Sequence, residues 1–276
     1  MKIPRGIVAL ECNYPDRLAS EVGQENANEG EKLIDWTARA LREWSGIVDR
    51  AVVITLPGES EFVFKELSSA GLPIIPGVKS SQFTTSDGLA DHCRKVAAMT
   101  KSKIVAIDNE SKLNTPFLDS ARIMISNAAK RMGEHGIAPL WFAPDLPRQV
   151  EKQLTYGPII QAMANANTNG IFVTAYNGYT EVMKWVDTMI AKEVMKRMVG
   201  KGRCWPVAYV RTSGFWDDPQ NPDAAPNRVW TPLDFAESVN EAFWKYTKNL
   251  LGKRTNPIIV YPGQSAIRAG EIISAY

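Results

Sequence analysis

The sequence predicts an α/β fold, a single (β/α)8 barrel formed by residues 1–276. A short apolar run, a polar turn and an amphipathic stretch recur in this order eight times along the chain. This order implies parallel strands joined by right-handed crossovers. The length of 276 residues is somewhat above the roughly 250 residues that are typical of one such barrel. Since working residues of these barrels lie where the strands end, eight short windows hold the candidate functional groups.

Each predicted strand is an apolar run that stops at a polar or turn residue. The predicted strands span residues 6–11, 51–56, 72–78, 104–110, 138–143, 171–176, 204–210 and 257–261. An open, doubly wound sheet would usually carry a Gly-rich turn after its first strand. The residues there are Glu11-Cys12-Asn13-Tyr14-Pro15, which is a different kind of sequence. A closed barrel is therefore favoured.

The predicted helices carry apolar residues at helical spacing. The first helix places a stripe on one face, made of Leu33, Trp36, Ala40, Leu41 and Trp44. Further helices are predicted near residues 59–69, with Gly71 as C-cap, and at 87–99, 115–132 and 149–166. Two long loops, 12–30 and 211–231, follow strands one and seven and are expected at the same end of the barrel.

Composition is that of a globular protein without obvious macromolecular partners. Hydrophobic residues make up 45% and charged residues 22%, with 32 basic and 30 acidic residues. Because basic and acidic residues are nearly equal in number, the sequence does not predict the basic surface that nucleic-acid binding requires. No apolar run is long enough for a membrane span. Three scattered cysteines predict neither disulfides nor a zinc site. We therefore expect no cofactor and a cytoplasmic location, although a virus-encoded or lysis-released protein would look the same.

The fourth strand ends in two carboxylates. Ala106, Asp108 and Glu110 share one face, and Ile107 and Asn109 the other. If Ala106 fills the barrel interior, both carboxylates point into the barrel mouth. Two nearby carboxylates tend to divide into a protonated and an ionised group, which is what glycoside cleavage needs. An acidic pair at a strand end is also a common start of a solvated loop.

Asp108-Asn109-Glu110 resembles the end of the acidic signature on strand four of family 18 glycoside hydrolases, the chitinase-like barrels. Tyr176-Asn177 resembles the Tyr-Asp or Tyr-Asn pair on strand six of that family. The resemblance implies a substrate-assisted retaining mechanism. In it Glu110 protonates the glycosidic oxygen, Asp108 orients the acetamido group of an N-acetylated sugar, and Tyr176 with Asn177 holds that group.

Several features leave other functions open. Lys103 and Ala106 stand where family 18 has earlier aspartates, which favours a glycan-binding or structural barrel without activity. Asn109-Glu110 also resembles the Asn-Glu pair of barrel glycosidases that use two glutamates. Those enzymes carry their second glutamate at the end of strand seven, where residues 210–213 contain none.

Residues at other strand ends are candidates for binding the expected ligand, a carbohydrate or another small polar molecule. They are Glu11, Lys79, Asp145, Asn177, Arg211, Trp216, Tyr261 and Gln264. Asp145 is placed on one face with Trp141 and Ala143, which would point it inward, but Asp145-Leu146-Pro147 could equally be a turn with an N-cap, the more common use of such residues.

Lys79 has two interpretations. It could form a Schiff base, as in an aldolase or lyase, or it could be an ion-pair partner of Asp108 or Glu11. Glu11 in turn is either a third carboxylate of the site or a partner of Arg211 or Lys79. The same carboxylates, together with Asp145, could also hold magnesium in a carboxylate-metal lyase. His92 and His135 lie away from the strand ends, so a histidine metal site is not predicted.

Overall fold

The computed structural model describes residues 7–24, 27–45, 50–108, 118–142, 170–175, 204–209 and 259–261. Eight parallel strands pair in sequence order, and the first also pairs with the last, so the sheet closes into a barrel. The predicted (β/α)8 fold is therefore confirmed. The carboxyl ends of all eight strands lie at one end of this barrel, which we call the mouth.

The strands and helices follow the predicted order. The strands are β1 (Ile7–Glu11), β2 (Arg50–Thr55), β3 (Ile74–Lys79), β4 (Ile104–Asp108), β5 (Ala138–Phe142), β6 (Gly170–Ala175), β7 (Cys204–Tyr209) and β8 (Ile259–Tyr261). The described helices are α1 (Leu33–Trp44), α2 (Ser60–Leu67), α3 (Ser86–Thr100) and α4 (Leu118–Glu134).

Three predicted boundaries differ from the structure by two residues, and one of them is the end of α4, which lies at Glu134 rather than at residue 132. Strand β3 begins at Ile74 rather than at residue 72, because Pro73 has no N–H to donate to the ladder and contributes only its carbonyl oxygen, which accepts from Ala51. Helix α2 ends at Leu67 rather than at residue 69. Gly71, predicted as its C-cap, instead takes a left-handed φ of 81° in the turn that follows.

Helix α1 packs by its predicted stripe, and α3 has a side-chain cap at its start. Leu33, Trp36, Ala40 and Leu41 of α1 are all buried, whereas the side chain of Trp44 lies outside the described residues. Helix α3 begins where the Thr85 side chain accepts a hydrogen bond from the backbone N–H of Gly88. Residues on both faces of β2, β3 and β4 are buried, with α3 packed against β3 and β4 and α4 packed against β5.

A cluster of buried apolar residues fills the barrel interior, made of Ala9, Val52, Ile54, Ile75, Ala106 and Leu140. Gly77 lies in the same layer, paired with Ile54 on one side and Ala106 on the other. A Cβ atom at Gly77 would lie 2.6 Å from Cγ1 of Ile54 and 3.0 Å from its Cα. The Ile54 side chain therefore occupies the space that a side chain at position 77 would need.

The loop between β1 and α1 is held by its own hydrogen bonds. The Ala19 N–H donates to the carbonyl of Glu31, and the Leu33 N–H donates to that of Arg17. Arg39 of α1 contacts the Glu31 carboxylate at 2.6 Å, and this hydrogen bond lowers the pKa of Glu31. The predicted long polar loop is thus anchored on α1, which fixes the residues that follow β1.

Candidate active site

Three charged side chains meet at the mouth of the barrel. The ammonium group of Lys79 lies 3.0 Å from Oε2 of Glu11 and 4.0 Å from Oδ2 of Asp108. These residues end strands β3, β1 and β4 respectively. Lys79 therefore contacts both of the carboxylates that the sequence proposed as its ion-pair partners.

Strand register explains why the three groups converge. Lys79 pairs with Asp108, and two residues earlier Gly77 pairs with Ala106. Ala106 belongs to the interior cluster, so alternation turns Asp108 toward the interior as well. Contact between Lys79 of β3 and Glu11 of β1 spans the intervening strand β2, which is possible only on the concave side of the barrel.

The three groups differ in their contact with solvent. Asp108 is the most enclosed, with 11% of its side chain exposed, against 22% for Lys79 and 35% for Glu11. One ammonium between two carboxylates leaves a formal charge of −1 on this set. Ion pairs of this exposure contribute up to about 1 kcal/mol each to stability. Their main consequence is orientation, since Lys79 holds both carboxylates at the mouth.

Asn13 is a fourth member of the set that sequence reasoning missed. Its side-chain Nδ2 donates to Oε2 of Glu11 at 2.6 Å. An asparagine just after a strand is typical of a turn, so nothing in the sequence singled it out. We call Glu11, Asn13, Lys79 and Asp108 the mouth cluster.

Most of the other predicted site residues lie outside the described residues. They are Glu110, Asp145, Tyr176, Asn177, Arg211, Trp216 and Gln264. Tyr261 is described in its backbone alone, as the last residue of β8, paired with Tyr209 of β7. The structure thus brings together Glu11, Lys79 and Asp108 from the predicted set.

The register argument behind Asp145 is wrong. It assumed that Trp141 faces the barrel interior, but Leu140 belongs to the interior cluster, so Trp141 is on the opposite face of β5. Trp141 is fully buried there and pairs with Ile107. Asp145 itself lies outside the described residues, and its inward direction no longer follows from the strand.

A second polar set lies between two helices. Oγ of Ser60, at the start of α2, is 3.2 Å from Nε2 of His92 in α3, and the ring of Phe83 contacts that of His92 at 5.3 Å between centroids. Burial, assisted by the nearby charge of Lys95, lowers the pKa of His92. We call Ser60, Phe83 and His92 the helix cluster.

The hydrogen bonds of the helix cluster serve to join two helices. The Ser60 hydroxyl donates its single proton to the carbonyl oxygen of Leu56 at 3.1 Å. With that proton on the Leu56 carbonyl, the assignment that satisfies both contacts has His92 Nε2 donating to Ser60, and in this assignment Nε2 has no lone pair with which to activate the hydroxyl. The pair joins α2 to α3 and does not form a nucleophilic dyad.

The described cysteines are not nucleophiles either. Burial raises the pKa of Cys12 to about 12, and burial also raises the pKa of Cys93. Both thiols therefore stay protonated near neutral pH. Within the ranges that the structure describes, no three His, Cys, Asp or Glu side chains are grouped closely enough to hold a metal ion. None of the described helices is long and apolar enough to cross a bilayer.

Several solved structures share this fold. An archaeal fructose-1,6-bisphosphate aldolase aligns with a TM-score of 0.55 at 9% identity, over 98% of this chain and 93% of that chain. A GH113 β-1,4-mannanase aligns with a TM-score of 0.52 at 11% identity, over 100% and 99%. A GH18 chitinase from Pseudoalteromonas aurantia aligns with a TM-score of 0.50 at 9% identity, over 98% of both chains.

The chain has the TIM-barrel fold. No protein-family profile matches the sequence, and no curated protein matches it. Likeness at 9–11% identity shows the fold alone. Glycosidases and an aldolase both share it, so the comparisons support the TIM-barrel fold and not membership of family 18.

Proposed function

We propose that this chain is a glycoside hydrolase in which Glu110 is the general acid and Asp108 is its ionised partner. The observation that carries the proposal is the position of Asp108, which faces the barrel interior at the mouth and lies 4.0 Å from the Lys79 ammonium. An adjacent cation favours the ionised form of a carboxylate. Glycoside cleavage requires one such ionised carboxylate beside a protonated one.

Roles of the remaining residues follow from this assignment. Glu110 is two residues beyond Asp108, so continued alternation would place it on the same face. It would give its proton to the glycosidic oxygen, while Asp108 orients the substrate or stabilises positive charge at the anomeric carbon. If the substrate is an N-acetylated glycan, Asp108 would orient its acetamido group, with Tyr176 and Asn177 holding it.

Sugar hydroxyls need many hydrogen-bond partners and an apolar surface for the ring. Glu11 and Lys79 provide charged partners at the mouth. We propose that further contacts come from Asp145, Arg211, Tyr261 and Gln264, and that Trp216 stacks on a sugar ring.

A panel of labelled glycans, N-acetylhexosamine polymers included, tests the proposal. Wild type and Glu110→Gln are compared, each with and without a chelator. We expect turnover by wild type that survives chelation and falls by at least about 100-fold in Glu110→Gln, the usual size of a lost general acid. Glu66→Gln, at an exposed position of α2, is the matched control and should behave as wild type. Absence of turnover on every glycan would contradict the proposal and favour a barrel that binds without cleaving.

A Schiff-base lyase is the second candidate, because Lys79 places a primary amine at the mouth beside two carboxylates. A carbonyl substrate bound there could condense with Nζ and lose water. Nζ of Lys79 is engaged by Glu11 at 3.0 Å and by Asp108 at 4.0 Å, so a carbonyl substrate would have to displace these contacts before it could condense there. The glycosidase is therefore the better supported function.

Reduction with borohydride in the presence of small 2-oxo acids and aldehydes separates the two candidates. A lyase would retain the reduced adduct on Lys79, detected by peptide mass spectrometry. Lys130, on the exposed side of α4, provides the reference for nonspecific reaction. The glycosidase proposal predicts no more adduct on Lys79 than on Lys130.

A further inference from the structure

The Glu11 carboxylate is held asymmetrically. Its Oε2 accepts from Lys79 Nζ at 3.0 Å and from Asn13 Nδ2 at 2.6 Å. Within the part of the chain that the structure describes, its Oε1 accepts no hydrogen bond. The Glu11 side chain is 35% exposed, and Oε1 is its carboxylate oxygen without a hydrogen bond from the described residues.

The orientation of the Asn13 amide is set by chemistry. Placing Oδ1 rather than Nδ2 2.6 Å from a carboxylate oxygen would bring two acceptors together, so the nitrogen must face Glu11. Oδ1 is then buried and, among the described residues, has no hydrogen-bond donor. A buried acceptor without a donor is destabilising. Asn13 therefore contributes little to the stability of the fold. Among the described residues, the clear contact of its side chain is with Glu11.

The backbone before Asn13 is fixed on both sides. The Cys12 N–H donates to the carbonyl of Ile54 at 2.8 Å, and the Cys12 carbonyl accepts from the Thr55 hydroxyl at 2.7 Å. These bonds extend the contact between β1 and β2 by one residue beyond the end of β1. Asn13 thus starts from a rigid position and can hold Glu11 in one orientation.

We propose that Asn13 is a positioning residue which, with Lys79, fixes the Glu11 carboxylate so that Oε1 accepts a hydrogen bond from a hydroxyl group of an uncharged ligand. Both N–H donors occupy the same oxygen, so Oε1 is presented with a fixed direction. The negative formal charge of Glu11, Lys79 and Asp108 together repels phosphate and carboxylate groups and suits a neutral hydroxyl. The ligand class rests on the proposed function, because a sugar is the hydroxyl-rich ligand concerned.

Kinetics and stability of Asn13→Ala test this role together, with Asn127→Ala on the exposed side of α4 as matched control. On a glycan that wild type cleaves, we expect Asn13→Ala to raise KM by about threefold to tenfold, the effect of one lost hydrogen bond, with kcat within about twofold. We expect its midpoint of thermal unfolding to be no lower than that of Asn127→Ala, since the change also removes the buried acceptor. A lowered midpoint with unchanged KM would show a merely structural asparagine and overturn the proposal.

Crystal structures of wild type and Asn13→Ala decide the positioning claim even if no glycan is cleaved. We expect the Glu11 carboxylate to leave its wild-type orientation in Asn13→Ala, while Asp108 stays in place. An unmoved Glu11 would overturn the proposal. Failure of the glycan panel alone would instead contradict the proposed function and leave this structural result as the test of Asn13.

Discussion

The mouth cluster and the helix cluster both contain the kinds of residue that are usually sought in an active site. They differ in how much hydrogen-bonding capacity remains available for a ligand. In the helix cluster the Ser60 proton goes to Leu56 and the His92 proton goes to Ser60. In the mouth cluster Glu11 keeps one oxygen without a partner among the described residues. Position differs too, because the mouth cluster lies on the concave side of the strands and the helix cluster between α2 and α3.

Residue type alone is therefore a poor guide to function. A serine and a histidine in contact suggest a nucleophile and its base, but the direction of their protons shows a structural link. A lysine between two carboxylates suggests a simple ion pair, but its place at the strand ends is where barrel enzymes act. The proposed function of the mouth cluster is therefore supported by its position in the fold and by the hydrogen-bonding capacity that the described residues leave unused.

The largest expected effect is on catalysis. Asp108→Asn removes the ionised partner at the mouth, and we expect kcat/KM to fall by about 100-fold or more, equivalent to about 2.7 kcal/mol of barrier. Ser60→Ala breaks the helix cluster and should leave kcat/KM within about threefold. Steady-state kinetics on the same glycan measures both. Equal losses in the two variants would remove the distinction between the clusters.

The second largest expected effect is on the free energy of unfolding, through the packing of the barrel interior beneath the mouth. Gly77→Ala would place a Cβ 2.6 Å from Ile54 Cγ1 and 3.0 Å from both the Ile54 Cα and the Val53 carbonyl oxygen. The backbone atoms cannot yield as a side chain can, so we expect a loss of about 1–3 kcal/mol in the free energy of unfolding. Gly58→Ala is the matched control, since nothing lies within 4 Å of its added Cβ. Urea denaturation that finds the two variants equally stable would contradict the packing described for β2 and β3.

The smallest effect is the pH dependence of the helix cluster. Because the folded pKa of His92 is lowered, the unfolded chain binds more protons as the pH falls below the ordinary value of 6.5. The stability contribution of neutral His92 is therefore complete above that pH and is lost as the pH decreases. His92→Gln keeps a donor for Ser60 but cannot titrate.

Urea denaturation between pH 7 and pH 5 measures this effect. We expect wild type to lose more stability over the interval than His92→Gln does. His135→Gln changes an exposed histidine after α4 and should follow wild type. Parallel profiles of wild type and His92→Gln would show that the cluster is not the source of the pH dependence.

Sequence reasoning was most successful where the pattern is periodic. The eightfold repeat predicted the closed barrel, and Ala106 does lie in the interior, which is the condition under which alternation turns Asp108 into the mouth. The same reasoning was wrong in β5, where residues 138–142 form an unbroken apolar run. Strands covered on both faces have no polar residues to mark the outer face. Trp141 and Leu140 could therefore not be told apart by sequence.

The mouth cluster was predicted only in part, for a different physical reason. Glu11, Lys79 and Asp108 end their strands, and parallel strands bring their ends together. Asn13 joins them because the backbone at Cys12 is held by Ile54 and Thr55, contacts between β1 and β2 that no local pattern encodes. The assignment of donor and acceptor between Ser60 and His92 likewise depends on the Leu56 carbonyl, whose position only the structure gives.

The most direct test of the central claim is a crystal structure of Glu110→Gln soaked with an N-acetylhexosamine oligomer, because slowed cleavage would preserve the bound substrate. The account predicts the sugar in the barrel mouth, within hydrogen-bond distance of Glu11 Oε1 and beside Asp108. A sugar bound between α2 and α3, or a mouth in which Glu11 and Asp108 touch no ligand at saturating oligomer, would contradict it.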